Sequence, residues 1–98
     1  MKLEEFPQSE SFEQCPCCDY FSLAERGKSL ICPVCYWEDD CCNPSSPDWT
    51  AQSDVNNDMT LIHARINFKK FGACDAKWRS TVICTEERNS LKCRERNV

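Results

Sequence analysis

Two closely spaced cysteine pairs constrain this chain more than any other feature. Cys15-Pro-Cys-Cys18 and Cys32-Pro-Val-Cys35 are both C-x2-C pairs that begin Cys-Pro, and thirteen residues separate them. Each pair can place two thiolates on one tight turn, and a hairpin can bring the two turns together around a tetrahedral ion. The proline helps to preset each turn because it fixes φ. The spacing therefore predicts one four-thiolate metal site, formed by Cys15, Cys18, Cys32 and Cys35.

Zinc suits this predicted site because it prefers tetrahedral sulfur coordination. A zinc ion with four thiolate ligands has no open position, so its expected role is structural. Iron bound by four thiolates has similar geometry and stays open as an alternative. Cys17 can also replace Cys15 or Cys18 as a ligand, although the pair would then lose its C-x2-C spacing. A thioredoxin-type redox motif would need a strand-to-helix context in a larger α/β fold, which this sequence does not show.

The remaining cysteines bear on the cellular compartment. Ten cysteines in 98 residues would indicate a disulfide scaffold in a secreted chain. The sequence begins MKLEEFPQSESFEQ, which has no apolar signal segment, and it has no apolar stretch of about 18 residues. We therefore expect a cytoplasmic protein with no membrane association. Six cysteines are expected to be reduced thiols, and the adjacent pair among them lacks the spacing of a second metal site: Cys17, Cys41, Cys42, Cys74, Cys84 and Cys93.

Charge is divided unequally along the chain. Residues 1–58 carry three basic and twelve acidic residues, a balance of −9, whereas residues 59–98 carry nine basic and four acidic residues, a balance of +5. A general nucleic-acid binder is expected to be basic overall, and this chain has a net charge of −4. The acidic half favours a cationic partner, because complementary potentials raise association rates. Alternatively, the two halves face each other within the fold.

The chain divides into three predicted parts and has an α+β pattern. Residues 1–14 are expected to form a flexible acidic arm, 15–84 a zinc-stapled domain, and 85–98 a C-terminal helical tail. Residues 20–23 and 29–31 are strand-like, with Gly27 in the turn of a predicted hairpin. Residues 43–58 are polar and aperiodic, which predicts a long loop. The expected fold is a small zinc-ribbon-like antiparallel sheet with one long helix and a short C-terminal helical segment.

The helix signal is clearest between residues 60 and 72. Thr60 or Asp58 can cap the first turn, and Gly72 can take a left-handed closing position. Apolar residues recur there at spacings of three or four and predict one core-facing stripe: Leu61, Ala64, Phe68 and Phe71. Shorter helical pieces are predicted at 75–78 and 85–94. The stripe is interpreted as core packing.

No catalytic set is visible in the sequence. The single histidine, His63, falls on the predicted helix, and only Gly27 and Gly72 are available for any phosphate-binding loop. There is no nucleophile elbow and no H-E-x-x-H motif. The acidic run 38–40 is interpreted as a solvated loop rather than an acid–base cluster. We therefore expect that the protein is not an enzyme.

Three blocks of the sequence resemble a known family. CPCCDYFSL, ICPVCYWEDD and LIHARINFKKFGACDAKW are similar, in this order, to blocks of the bacterial CPCC family of small cysteine-rich proteins. Asp19 and Cys41 stand where that family commonly has glycine. The resemblance implies a zinc-ribbon-like unit with the ARINFKKFG helix packed against it. Members of the family occur near polymorphic toxin systems, which implies a role as an immunity factor.

The expected function is a non-enzymatic cytosolic immunity protein that occludes the basic active site of a bacterial toxin. Aromatic and acidic side chains are the expected contacts: Trp37, Glu38, Asp39, Asp40, Asp48, Trp49, Asp54 and Asp58. The alternative is a zinc-ribbon module that binds nucleic acid or the transcription machinery through a basic face, composed of Arg65, Lys69, Lys70, Lys77 and Arg79. A metal or redox sensor is a third hypothesis.

Overall fold

A computed structural model describes residues 12–40 and 46–97 of the chain. Within these residues, six strands of two or three residues form three antiparallel pairs: β1 Glu13–Gln14 with β2 Phe21–Leu23, β3 Leu30–Ile31 with β4 Glu38–Asp39, and β5 Gln52–Ser53 with β6 Met59–Thr60. The same described ranges contain the helices α1 Leu61–Phe71 and α2 Thr85–Arg88, with 3-10 turns at Asp54–Asn56 and Ala76–Trp78. This architecture confirms the predicted small α+β fold with one long helix and one short helix.

Strand pairing differs from the predicted hairpin. β2 pairs with β1 and β3 pairs with β4, so the predicted pairing of 20–23 with 29–31 is wrong. The reason is that each C-x2-C turn reverses the chain, and the residues before and after that turn meet as antiparallel neighbours. Gly27 has a φ of 70° but lies in the segment that connects the two hairpins. Each cysteine knuckle is thus the loop of its own small hairpin.

Helix α1 begins and ends where the sequence predicts. The Thr60 side chain accepts a hydrogen bond from the backbone N–H of His63 at 3.1 Å. At the other end, Gly72 has a φ of 80°, and its N–H donates to the Phe68 carbonyl at 2.8 Å. Both contacts satisfy backbone groups that the helix itself leaves unpaired. Leu61 and Ala64 are buried, which confirms that the helix turns this face to the core.

The segment predicted as a loop at 43–58 contains regular structure where it is described. β5 and the turn Asp54–Asn56 lie within it, and β5 pairs with β6. Asn56 joins this hairpin to β4, because its side-chain amide accepts from the Glu38 N–H at 3.0 Å and donates to the Glu38 carbonyl at 2.9 Å. Cys41, Cys42 and residues 43–45 lie outside the described residues.

The C-terminal segment is less helical than predicted. Residues Ala76–Trp78 form the expected short turn, capped by the Asp75 side chain, but α2 has only four residues instead of reaching 94. Beyond it the backbone pairs with the first hairpin: the Phe21 N–H donates to the Lys92 carbonyl at 2.9 Å. These backbone groups are therefore used in contacts across the fold and not within a helix.

The predicted parts of the chain are only partly covered by this description. The expected arm 1–14 lies outside the described residues except for 12–14, where Glu13–Gln14 is a strand. The three-part division of the chain stays a prediction. No helix within the described ranges is long and apolar enough to cross a membrane.

The buried core is assembled around sulfur atoms. Cys15, Cys32 and Cys35 are fully buried, and Val34 and Trp37 are buried with them. Leu61 and Ala64 bring α1 against the same cluster, together with Cys17, Cys18 and Cys74. A chain with few ordinary apolar residues thus places its thiols where a larger protein would place aliphatic side chains.

Candidate metal centre

The first knuckle, residues 15–20, and the second knuckle, residues 32–37, have the same backbone geometry. The Cys15 N–H donates to the Tyr20 carbonyl at 2.8 Å, and the Cys32 N–H donates to the Trp37 carbonyl at 2.9 Å. Both bonds close the turn around the pair of cysteines that it contains. The chain therefore builds the same ligand-presenting loop twice.

A second repeated bond requires an unusual backbone conformation. The Asp19 N–H donates to the Cys15 carbonyl at 3.0 Å, and the Tyr36 N–H donates to the Cys32 carbonyl at 2.8 Å. Asp19 and Tyr36 have φ values of 70° and 69°. Residues other than glycine rarely adopt this left-handed region, and aspartate tolerates it better than most. The knuckle geometry is maintained at both positions despite that conformational cost.

The four predicted ligands meet at one point. Their sulfur atoms all lie within 4.8 Å of one another, and all four residues are buried. The Sγ atoms are 3.6 Å apart between Cys15 and Cys35, and 3.7 Å apart between Cys18 and Cys32. A tetrahedral ion with metal–sulfur bonds of about 2.3 Å separates its ligand atoms by about 3.8 Å. The four thiols therefore form a site of the right size for one structural metal ion.

The electrostatics of this cluster favour a bound cation. Burial raises the pKa of Cys15, Cys18 and Cys35 above the ordinary value of 9.0. Burial also opposes ionisation of Cys32, but hydrogen bonds from the neighbouring thiols and from Ser22 hold the pKa of Cys32 well below 9.0. Most of these thiols are therefore harder to ionise here than in water. A bound cation would stabilise all four as thiolates.

Hydrogen bonds to sulfur orient one ligand. The Ser22 hydroxyl lies 3.0 Å from Cys32 Sγ, and the backbone N–H of Val34 donates to the same sulfur at 3.3 Å. Such outer contacts set the direction of a ligand's lone pairs and spread its negative charge. The sequence alone does not identify Ser22, because a single serine in a strand carries no recognisable signal.

A buried arginine holds the first knuckle in place. Arg65 Nη1 and Nη2 bond the two carboxylate oxygens of Asp19 at 2.6 and 2.9 Å, and Arg65 Nη1 also donates to the Pro16 carbonyl at 2.9 Å. Arg96 adds bonds to Asp19 Oδ1 at 2.6 Å and to the Cys15 carbonyl at 3.0 Å. Burial alone would raise the pKa of Asp19, but these two arginines hold it below the ordinary value of 3.8.

Backbone contacts hold the second knuckle. The Cys74 N–H donates to the Cys35 carbonyl at 2.8 Å, and the Ile83 N–H donates to the Pro33 carbonyl at 3.0 Å. Cys74 is buried beside the cluster, and desolvation raises the pKa of its thiol to about 12. Within 12–40 and 46–97 the cysteines 15, 18, 32 and 35 are the single group placed to hold a metal.

Two expected partner contacts are wrong. Trp37 is only 2% exposed, because the second knuckle turns its side chain into the sulfur-rich core. Asp39 is fully buried, where its Oδ2 accepts from Arg26 Nε at 2.6 Å and from the Gly27 N–H at 2.9 Å. Both side chains therefore stabilise the fold and are unavailable to a partner.

The other six expected contacts stay accessible. Asp48, Asp54 and Asp58 are exposed, whereas Glu38, Asp40 and Trp49 are half-buried. Asp40 Oδ2 accepts from the Ser53 hydroxyl at 2.9 Å, which places it beside the β5–β6 hairpin that also carries Asp54 and Asp58. The acidic surface is the name used below for the four carboxylates that these contacts and the hairpin bring to one place: Glu38, Asp40, Asp54 and Asp58.

The prediction that Arg65 belongs to the basic face of the alternative function is wrong. Arg65 is 7% exposed and ion-paired with Asp19, so it cannot contact a phosphate. Its position in the sequence, one residue after buried Ala64, placed it outside the apolar stripe, but its long side chain reaches back to the first knuckle. Lys69, Lys70, Lys77 and Arg79 are exposed, as is His63.

Two knuckles on short antiparallel hairpins, with four converging thiols and a helix packed against them, define a small zinc-ribbon-like protein. The chain belongs to the family of cysteine-rich CPCC proteins, which matches residues 13–89. No curated protein and no solved structure matches the chain.

Proposed function

We propose that the protein is a non-enzymatic immunity protein that holds one structural zinc ion and inhibits a toxin in the cytoplasm by occluding the toxin's basic active site. Zinc is proposed because four buried sulfur ligands at tetrahedral separations match its preferences. A closed site of this kind stabilises a scaffold and leaves no position for a substrate. The absence of enzymatic activity is part of the proposal.

The acidic surface is the observation that carries this function. Asn56 ties Glu38 to the hairpin that bears Asp54 and Asp58, and the Ser53 hydroxyl ties Asp40 to it. Within the described part of the chain, carboxylates form ion pairs at Asp19 and Asp39 but not on the acidic surface. Its negative charge is therefore free to attract a cationic protein.

Co-expression with the product of the adjacent upstream gene tests this proposal. We expect a stable complex and rescue of the host from that product's toxicity. The double variant Asp54→Lys, Asp58→Asn should slow association at low salt by about tenfold or more, because it reverses one steering charge and removes another, while asparagine tolerates the left-handed backbone of residue 58. Glu86→Lys reverses an exposed charge on α2 and serves as the matched control. Absence of both complex and rescue for the unmodified chain would contradict the proposal.

A measurement of RNA and DNA binding distinguishes the nucleic-acid alternative from the immunity proposal. A module of that kind would bind RNA or DNA with an affinity that falls steeply as salt rises. Its binding would weaken in Lys69→Gln and Lys70→Gln and would be unchanged or tighter when negative charges of the acidic surface are removed. That pattern would overturn the immunity proposal in favour of the alternative.

A further inference from the structure

A cavity of about 350 Å³ lies beside the second knuckle. Ile31 from β3, Val55 from the turn after β5, and Met59 from β6 line it. Ile31 is 46% exposed and Val55 is 50% exposed, so the fold leaves two large apolar side chains uncovered at this one place. Ligand pockets run from about 300 to 1,000 Å³. This cavity lies at the lower end of that range, so it has room for one long side chain and not for a larger group.

One wall of the cavity is aromatic. The rings of Tyr36 and Trp78 have centroids 4.5 Å apart with an interplanar angle of 34°. Lys77 Nζ lies 5.0 Å from the Trp78 ring centroid, so this ring already attracts an ammonium group of the same chain. Tyr36 lines the cavity, whereas Asp19, which follows the second cysteine of the first knuckle as Tyr36 does in the second, is buried in an ion pair.

The cavity lining also carries negative charge, from Glu38 and Asp75. Ile31 and Glu38 face each other across β3 and β4, so their side chains lie on the same face of that pair, beside the cavity. Asp39, the next residue, points to the other face and into the core. Asp54 and Asp58 flank the lining residues Val55 and Met59 in the chain and belong to the acidic surface. Apolar, aromatic and acidic groups thus surround one space.

We infer that this cavity is the anchor site of the acidic surface and that it takes one arginine side chain of the protein partner. The inference rests on the proposed function, because it names the contact through which that partner would be held. The arginine methylene groups cover Ile31 and Val55, and the planar guanidinium stacks on the aromatic wall and pairs with Glu38. A desolvated arginine in a central pocket is a frequent hot spot of protein interfaces.

Titration of the zinc-loaded protein with the peptide Ac-Ala-Arg-Ala-NH2, followed by NMR, tests this inference without any toxin. We expect saturable shifts of the Trp78 indole and Ile31 methyl signals. The peptide with citrulline in place of arginine has the same shape without the charge and should not saturate the site. Glu38→Gln should weaken arginine-peptide binding about twofold to fivefold, the range expected for one partly exposed charge pair. Glu86→Gln is its matched control.

A change at Lys77 should raise the affinity for the arginine peptide, whereas Glu38→Gln should lower it. Lys77→Gln removes the cation that now occupies the Trp78 face, so it should tighten arginine-peptide binding about twofold to fivefold. Lys70→Gln removes an exposed charge outside the cavity and should leave the affinity unchanged. Both lysines are exposed, so neither change should unfold the chain.

The outcomes distinguish the cavity from the proposed function. Equal shifts with arginine and citrulline peptides, or equal affinity in Glu38→Gln and the unmodified chain, would overturn the arginine site while toxin rescue could still hold. A peptide bound as expected, with no toxin complex and no rescue, would support the cavity as an arginine site and reject the immunity role.

Discussion

Asp19 and Tyr36 occupy equivalent positions in the two knuckles, each directly after the second cysteine of its pair and each with a left-handed backbone, at φ values of 70° and 69°. The shared backbone geometry leads to different side-chain contacts. Asp19 receives Arg65 and Arg96, whereas Tyr36 lies against Trp78. One repeated loop thus supports the metal centre twice and also provides a structural ion pair on one side and a cavity wall on the other.

Loss of one ligand should abolish both metal binding and folding. Cys32→Ser removes a buried sulfur from the cluster and leaves the fourth position to a hydroxyl or water, which is a far weaker ligand than a thiolate in this buried site. We expect one zinc per chain in the unmodified protein by elemental analysis, and none in the variant, whose circular dichroism should show unfolding. Cys84→Ser, at an exposed cysteine, is the control and should retain the metal. A fully folded, metal-free Cys32→Ser protein would contradict this prediction, and iron in the purified protein would reject zinc.

Metal affinity should depend steeply on pH. Burial holds the pKa of Cys15, Cys18 and Cys35 above 9.0 in the folded chain, and an unfolded cysteine has a pKa of about 8.5, so in either state these thiols must lose a proton to bind a metal ion near neutral pH. The metal-free state therefore binds at least three more protons than the metal-bound state, and acid favours metal release. Below about pH 7.5 the affinity should fall at least about a thousandfold for each pH unit. Competition with a chromophoric chelator at pH 7.5 and 6.5 measures this, and a change below tenfold would be incompatible with it.

Breaking the Asp19–Arg65 pair should destabilise the metal-loaded fold strongly. Asp19→Asn leaves the buried guanidinium of Arg65 without its counter-charge, and we expect the free energy of unfolding to fall by about 3 kcal/mol. Urea unfolding followed by tryptophan fluorescence measures this change. Asp48→Asn, at an exposed carboxylate, should change the same quantity by no more than about 0.5 kcal/mol. Equal stabilities of the two variants would show that the pair has no structural weight.

Substitution of Asp39 and of Asp54 should affect different properties, stability in the first case and partner association in the second. Asp39→Asn weakens a buried ion pair with Arg26, so it should lower the free energy of unfolding by about 2 kcal/mol. Asp54→Asn should leave stability unchanged but reduce the association rate with the proposed toxin. Thermal unfolding and stopped-flow association measure the two effects. The opposite pattern, with Asp54 stabilising and Asp39 steering association, would contradict the assignment of the two residues.

Much of the metal centre was predictable because its determinants are local. Two cysteines separated by two residues can reach one ion from a single turn, so spacing alone identified Cys15, Cys18, Cys32 and Cys35. The bounds of α1 were equally readable, since Thr60 and Gly72 act on backbone groups of the adjacent helical turns. The expected strand pairing failed because strands of two or three residues are too short to show a face or a register.

The amino-acid sequence by itself determined the ligand set, the knuckles and the ends of the long helix, each of which depends on groups a few residues apart. Only the tertiary structure decided which charged and aromatic side chains are buried. Trp37, Asp39 and Arg65 all looked exposed in sequence, yet each is enclosed by residues far away in the chain. A side chain's burial depends on what the rest of the fold places over it, and the contacts of Asp39 with Arg26 and of Arg65 with Asp19 exist only after the knuckles and the helix have packed together.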